Sequence, residues 1–332
     1  MDRNNDQLAS DVQRGFFQAL IGDGHSLLAF VGLSLVLSGG FALFLAATGQ
    51  LLPHDIEFLG MTESQLCAFA ECRILHFMFH DRAAFGGALI AIGTLYLWMA
   101  EFPLRQGQAW AWWLFVCSGL IGFGSFLAYL GYGYLDVWHG TATLLLLPIF
   151  ILGLAKSFSR LREPKPFNSL FKPATAFSWK TSAGAGRICL LATAFGMTLG
   201  GLVITVVGMT SVFVPQDLTF MNLTANDLSA ISPRLIPLIA HDRAGFGGAL
   251  ATAGIAVWFC VWCGQPSRSL WQALCVSGAA GFATAIGVHP VIGYNDLIHL
   301  APAFAGIMIF ASGLILSYKP MMRVQGVKME SV

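Results

Sequence analysis

Stretches without a single Asp, Glu, Lys or Arg decide what this chain can fold into. They cover residues 25–54, 83–100, 106–135, 137–155, 188–216, 244–267, 269–295 and 297–318. Each reaches or exceeds the ~18 residues that carry a helix across a hydrocarbon core. In lipid every backbone donor and acceptor must pair within a helix or a closed barrel, and Ala-, Leu- and Gly-rich runs of this length lack the alternation of barrel strands. The sequence therefore predicts an all-α integral membrane protein with eight transmembrane helices, its surface partner being the lipid bilayer. Composition agrees, since 11% charged and 56% hydrophobic residues depart from the roughly 25% charged residues of a soluble domain. A formal net charge of +1 is too small and too dispersed to neutralise phosphates, so no nucleic-acid partner is expected. The apolar content also excludes a disordered chain.

The basic residues orient the spans. Lys156, Arg160, Arg162, Lys165, Lys172, Lys180 and Arg187 cluster after the fourth span, and Lys319, Arg323 and Lys328 follow the last. The positive-inside rule puts both segments in the cytoplasm. The loops 53–72 and 215–233 carry acids and, up to Cys72 and Pro233, no Lys or Arg, so they face outward. Residues 1–24 lack the apolar core of a cleavable signal and fit a cytoplasmic tail. The expected localisation is a multi-pass membrane protein with both termini cytoplasmic.

The chain repeats itself. His80-Asp81-Arg82-Ala83-Ala84-Phe85-Gly86-Gly87-Ala88-Leu89 recurs 161 positions later, from His241 to Leu250, with one mismatch in ten. Upstream, Pro53, Asp55, Phe58, Thr62, Leu66 and Arg73 match Pro215, Asp217, Phe220, Thr224, Leu228 and Arg234. Downstream, Gly133-Tyr134-x-Asp136-x-x-His139 matches Gly293-Tyr294-x-Asp296-x-x-His299. The organisation predicted is a tail (1–24), a four-helix unit (25–158), a basic cytoplasmic linker (159–184), a second four-helix unit (185–318) and a tail (319–332). Four spans per unit insert both copies in one orientation, which implies a pseudo-twofold axis along the membrane normal.

Four histidines recur in register, His80, His139, His241 and His299, one on each even-numbered helix and all in the outer half. Paired imidazoles on facing helices can hold a haem iron from both sides. Small residues on the same faces, including Gly87 and Gly248, would leave room for a flat macrocycle. Arg82 and Arg243 could pair with its propionates, and Asp136 and Asp296, three residues before a histidine, could orient an imidazole from behind. Two other readings of these residues stand beside this one. Asp81, Asp136, Asp242 and Asp296 could join the histidines around non-haem iron or manganese. The same groups could also form an ion-pair network with no ligand, with the small residues serving helix packing. Cys67 and Cys72 fall in an outward loop, where an oxidising exterior permits a disulfide. Cys260 and Cys263 suit helix packing, Cys117, Cys189 and Cys275 the core, and His76 and His289 read as polar lining without a counterpart in the other copy.

Two fused four-helix units, a histidine on each even helix, a cysteine pair in the first outer loop and a long cytoplasmic link resemble the haem A synthase family over nearly the whole chain. The resemblance implies an oxidoreductase. Its first half would hold a substrate haem between His80 and His139, whose methyl group is oxidised to a formyl group. Its second half would hold haem b between His241 and His299, with Cys67 and Cys72 bridged. The family has a glutamate three residues before the second-helix histidine and an arginine directly after it. Here those positions are Phe77 and Asp81, with arginine one place later at Arg82, and the resemblance would give the role of catalytic carboxylate to Asp81, acting with His80 and His139. The near-identity of the two His-Asp-Arg segments suits an alternative, a di-haem b-type electron-transfer subunit exchanging electrons with a quinone or another redox partner. A haem-free transporter or scaffold is the third expectation.

Overall fold

The structure, a computed structural model, describes residues 21–127, 133–134, 136–162, 167–171, 173–176 and 178–322. The predicted tails, apart from residues 21–24 and 319–322, lie outside the described residues, as do linker residues 163–166, 172 and 177. Among the described residues the structure is all-helical. The helices are α1 (His25–Thr48), α2 (Pro53–Leu59), α3 (Glu63–Cys67), α4 (Arg73–Met99), α5 (Ala109–Leu127) and α6 (Val137–Phe158). After the linker follow α7 (Ser182–Met209), α8 (Pro215–Met221), α9 (Ala225–Ile231), α10 (Leu235–Cys263), α11 (Arg268–Ile292) and α12 (Leu297–Met322).

Seven of these, α1, α4, α6, α7, α10, α11 and α12, are long and apolar enough to cross a membrane. The predicted third span falls on α5 and then on residues 128–132, outside the described residues. Two of the charge-free stretches understate their helices: α4 begins at Arg73 rather than 83, and α10 at Leu235 rather than 244. Both helices run straight through a His-Asp-Arg triplet, which a bilayer tolerates because those charges are paired inside the protein.

Burial sorts the long helices into two kinds. The most apolar stretch of α4 is 83% buried and that of α10 67%, while no other long helix exceeds 28%. The two His-Asp-Arg helices are therefore central and the rest surround them. The outer helices turn large apolar side chains outward, among them Leu37 and Phe44 on α1, Leu144 on α6, Phe195 and Val206 on α7, and Ile315 on α12. An apolar exterior around a polar, paired centre is the arrangement a lipid solvent favours.

Each central helix packs on the first helix of its own half and on the third helix of the other: α4 on α1 and α11, α10 on α7 and α5. The Phe-Gly-Gly turn of each motif makes both approaches possible. A Cβ on Gly86 would lie 2.8 Å from the Gly39 carbonyl oxygen on α1, and one on Gly87 2.9 Å from that of Ala280 on α11. In the second copy, Gly247 abuts Gly201 on α7, and Gly248 abuts Ser125 on α5. Gly87 and Gly248, predicted to flank a cofactor, thus seat neighbouring helices.

The short helices gather at one end of the bundle. Pro53 and Pro215 occupy the first turns of α2 and α8, where a missing N–H costs nothing. Asp55 and Asp217 accept from the N–H groups of Leu52 (3.3 Å) and Val214 (2.9 Å), which closes each helix start. The two ends are also laced across the halves: Arg73 Nη1 donates to the Phe220 carbonyl (3.4 Å) and Arg234 Nη1 to that of Phe58 (2.6 Å). Cys67 and Cys72 lie there with their sulfurs at disulfide distance, and their counterparts are Ser229 and Pro233. At the opposite end Arg187 donates to the carbonyls of Thr175 (2.8 Å) and Trp262 (2.6 Å), tying the linker to α10. Cys260 and Cys263 are buried near that junction.

Candidate metal centre

The two His-Asp-Arg triplets lie buried side by side and exchange partners. In the first, His80 Nδ1 lies 2.8 Å from Asp81 Oδ1, and the other Asp81 oxygen accepts from Arg243 Nε of the second triplet (3.2 Å). In the second, His241 Nδ1 lies 3.1 Å from Asp242 Oδ1, and Asp242 Oδ2 accepts from Arg82 Nε of the first (2.7 Å). Each arginine also meets an acid from the short helices of its own half: Arg82 Nη1 is 2.9 Å from Asp55 Oδ2, and Arg243 Nη1 pairs with Asp217. Tyr134 and Tyr294 complete the chains by donating to Asp55 and, at 2.8 Å, to Asp217. Burial and the adjacent carboxylates of Asp55 and Asp217 push both phenols upward, so they stay protonated donors. The arginines, predicted to meet haem propionates, are thus occupied by aspartates.

One consequence concerns the imidazoles. A carboxylate on Nδ1 fixes the tautomer of His80 and His241, so each directs an Nε2 lone pair away from its aspartate. For His241 that direction leads to the start of α6. Asp136 caps this helix, its Oδ1 accepting from the N–H groups of Trp138 (2.8 Å) and His139 (3.0 Å). Its Oδ2 lies 2.7 Å from His139 Nδ1 and 3.8 Å from His241 Nε2, and the two imidazole nitrogens are 3.3 Å apart. Burial raises the Asp136 carboxyl, but the bond to His139 and the proximity of His241 outweigh it and hold the group well below the usual carboxylate range. Asp136 is therefore an anion at neutral pH.

Three donors each about 2.1 Å from one ion lie about 3.0 Å apart at right angles, or about 3.4 Å apart in a tetrahedron. The spacings of 2.7, 3.3 and 3.8 Å bracket that range. Asp136, His139 and His241 thus bring together two imidazoles and one carboxylate that could hold a metal ion. His54 stands behind them, its Nε2 2.9 Å from Asp136 Oδ1 and 3.5 Å from Asp55 Oδ1. Beside these donors opens a cavity of about 240 Å³, lined by His139 and His241 at its polar end and by residues such as Phe85, Leu89, Phe123 and Leu146 along its walls.

The predicted histidines are brought together in a different pairing from the one the family resemblance implies. His139 faces His241, while His80 faces His289 and His299. Both pairs draw one member from each half, because the central helices lean on the opposite half. Asp296 caps its helix, accepting from the His299 N–H at 2.7 Å. His76 joins neither cluster. Asp55, Asp217, Tyr134 and Tyr294 enter the network although the sequence marks them only as repeated positions. Their recurrence as polar residues in otherwise apolar repeats is the signal that could have found them. His54 gives no such signal, since its counterpart is Gln216. Comparison with protein families, with curated proteins and with solved structures finds no match.

Proposed function

We propose that this chain is an integral membrane redox protein built around a non-haem metal ion, iron by ligand type, held by Asp136, His139 and His241. The observation that carries this reading is the convergence of the three donor atoms within 3.8 Å of one another. Two imidazoles and a carboxylate on one face are the ligand set of non-haem Fe(II) sites that keep positions open for a reactant. An iron ion would supply one-electron chemistry there. The chain supplies the rest: Asp136 brings a fixed negative charge, and Asp242, itself clamped by Arg82, holds His241 in the ligating tautomer. The neighbouring cavity suits a lipid-soluble partner of the quinone class. Its walls are apolar, its polar end carries the imidazoles, and a molecule dissolved in the bilayer reaches a site among membrane helices directly. In this reading α5 is the third of eight spans, the two halves are related by a pseudo-twofold axis, and the short-helix end faces outward. The exchanged triplets and the basic linker at the other end support that layout.

A haem between His139 and His241 is the second reading, favoured by the cavity with small residues such as Gly245 and Thr252 on its wall. The donor geometry suits it less, because the Asp136 oxygen stands 2.7 Å from the His139 nitrogen that would hold the haem. Haem A synthesis would further need His80 and His139 across one ring, and these two histidines turn to different partners.

Anaerobic titration of the detergent-solubilised full chain with Fe(II), followed by nitric oxide, tests the proposal. The expected result is about one equivalent of bound iron giving the high-spin iron–nitrosyl resonance typical of open non-haem sites. Asp136→Asn and His241→Ala should each abolish the signal. A signal unchanged in both variants, or iron recovered only as haem by pyridine haemochrome, overturns it.

A further inference from the structure

A second convergence of imidazoles lies beside the first and has a different composition. His80 on α4, His289 on α11 and His299 on α12 form a triangle with ring centroids 4.6 Å (His80 to His289), 5.3 Å (His80 to His299) and 5.3 Å (His289 to His299) apart. One nitrogen of each lies within 4.8 Å of the other two. His80 and His289 are almost fully buried, and their Nε2 atoms point at each other across 3.1 Å. Since Asp81 occupies His80 Nδ1 at 2.8 Å, the His80 Nε2 directed into the triangle carries a lone pair. Tyr294 reaches His299 Nδ1 at 3.3 Å.

This triangle is not a copy of the iron face. His289 has no histidine counterpart in the first half. Asp296, the counterpart of Asp136, caps its helix as Asp136 does, but among the described residues the converging donors here are His80, His289 and His299 without it. The duplicated scaffold has therefore produced one site with a carboxylate and one made of imidazoles alone. Hard ions such as magnesium, calcium and manganese favour oxygen donors, whereas an all-imidazole set suits the borderline ions copper and zinc. Asp81 behind His80 supplies the second carboxylate–histidine contact that such sites use to raise ligand basicity.

We infer that His80, His289 and His299 form a second metal site, selective for a borderline divalent ion of the copper and zinc class. It is independent of the iron reading, since it shares no ligand with it. The test uses full-length protein in detergent, stripped with a chelator and dialysed separately against Cu²⁺ and Zn²⁺, with bound metal measured by mass spectrometry. Wild type and Asp136→Asn should each bind about one equivalent at this site. His289→Asn, a small polar replacement chosen to spare the fold, and His299→Ala should bind it at least tenfold more weakly while eluting as the wild type does by size exclusion. Nitrogen hyperfine structure in the copper resonance, or displacement of copper by zinc, distinguishes the two ions. Equal affinity in wild type and both histidine variants, or loss with Asp136→Asn alone, overturns the inference.

Discussion

Arg82 shows how much rests on single side chains here. Its guanidinium, mostly buried, meets Asp242 at 2.7 Å and Asp55 at 2.9 Å, so its removal strands two carboxylates away from water. Breaking a buried pair by deleting one partner typically costs about 3–5 kcal/mol. Arg82→Leu should therefore lower the thermal stability of the detergent-solubilised protein by that order. Arg82→Leu combined with Asp242→Asn should recover part of the loss. If the single variant melts as the wild type does, the exchanged ion pairs are not structural. The sequence made these charges legible as a repeated triplet, but not their partners. Asp81 and Arg82 are neighbours in sequence, and the natural guess pairs an acid with a base of its own triplet. A helix turns adjacent residues about 100° apart, so each reaches instead across the interface to the other copy.

At the scale of elements, the seven long apolar helices were plain from uncharged length, whereas the short helices of the loops and the central position of α4 and α10 were not. The charge-free rule failed at the starts of α4 and α10, because paired charges in a bundle interior need not interrupt a span. Small residues were harder to read. Ala, Gly and Thr at helical spacing look the same whether they border a ligand or a helix. The structure assigns Gly87 to the α4–α11 contact, where Thr284 and the Ala280 carbonyl stand against it. Gly87→Val should force these helices apart and cost about 1–3 kcal/mol. Gly40, with open space around it on α1, provides the control: Gly40→Ala should be neutral or stabilising by up to ~1 kcal/mol. Equal melting temperatures for the two variants would show that the close approach is not needed.

For the whole molecule, the duplication explains both what could be foreseen and what could not. Four histidines at matching positions announce two equivalent centres. Because α4 and α10 each pack on the opposite half, the pairs that form are His139 with His241 and His80 with His299, not the pairs within a half. His289 and Asp136 then make the two centres chemically unlike, and nothing in the repeat itself announces that. The central claim is that the first centre binds iron through protein side chains alone. Iron K-edge X-ray absorption of the full-length protein, purified without oxygen from cells supplied with iron and haem, tests it most directly. The expected spectrum has a first shell of nitrogen and oxygen donors with the outer scattering of imidazole, and that iron is lost in Asp136→Asn. An outer-shell pattern of a porphyrin, or no bound iron in the wild type, would contradict it.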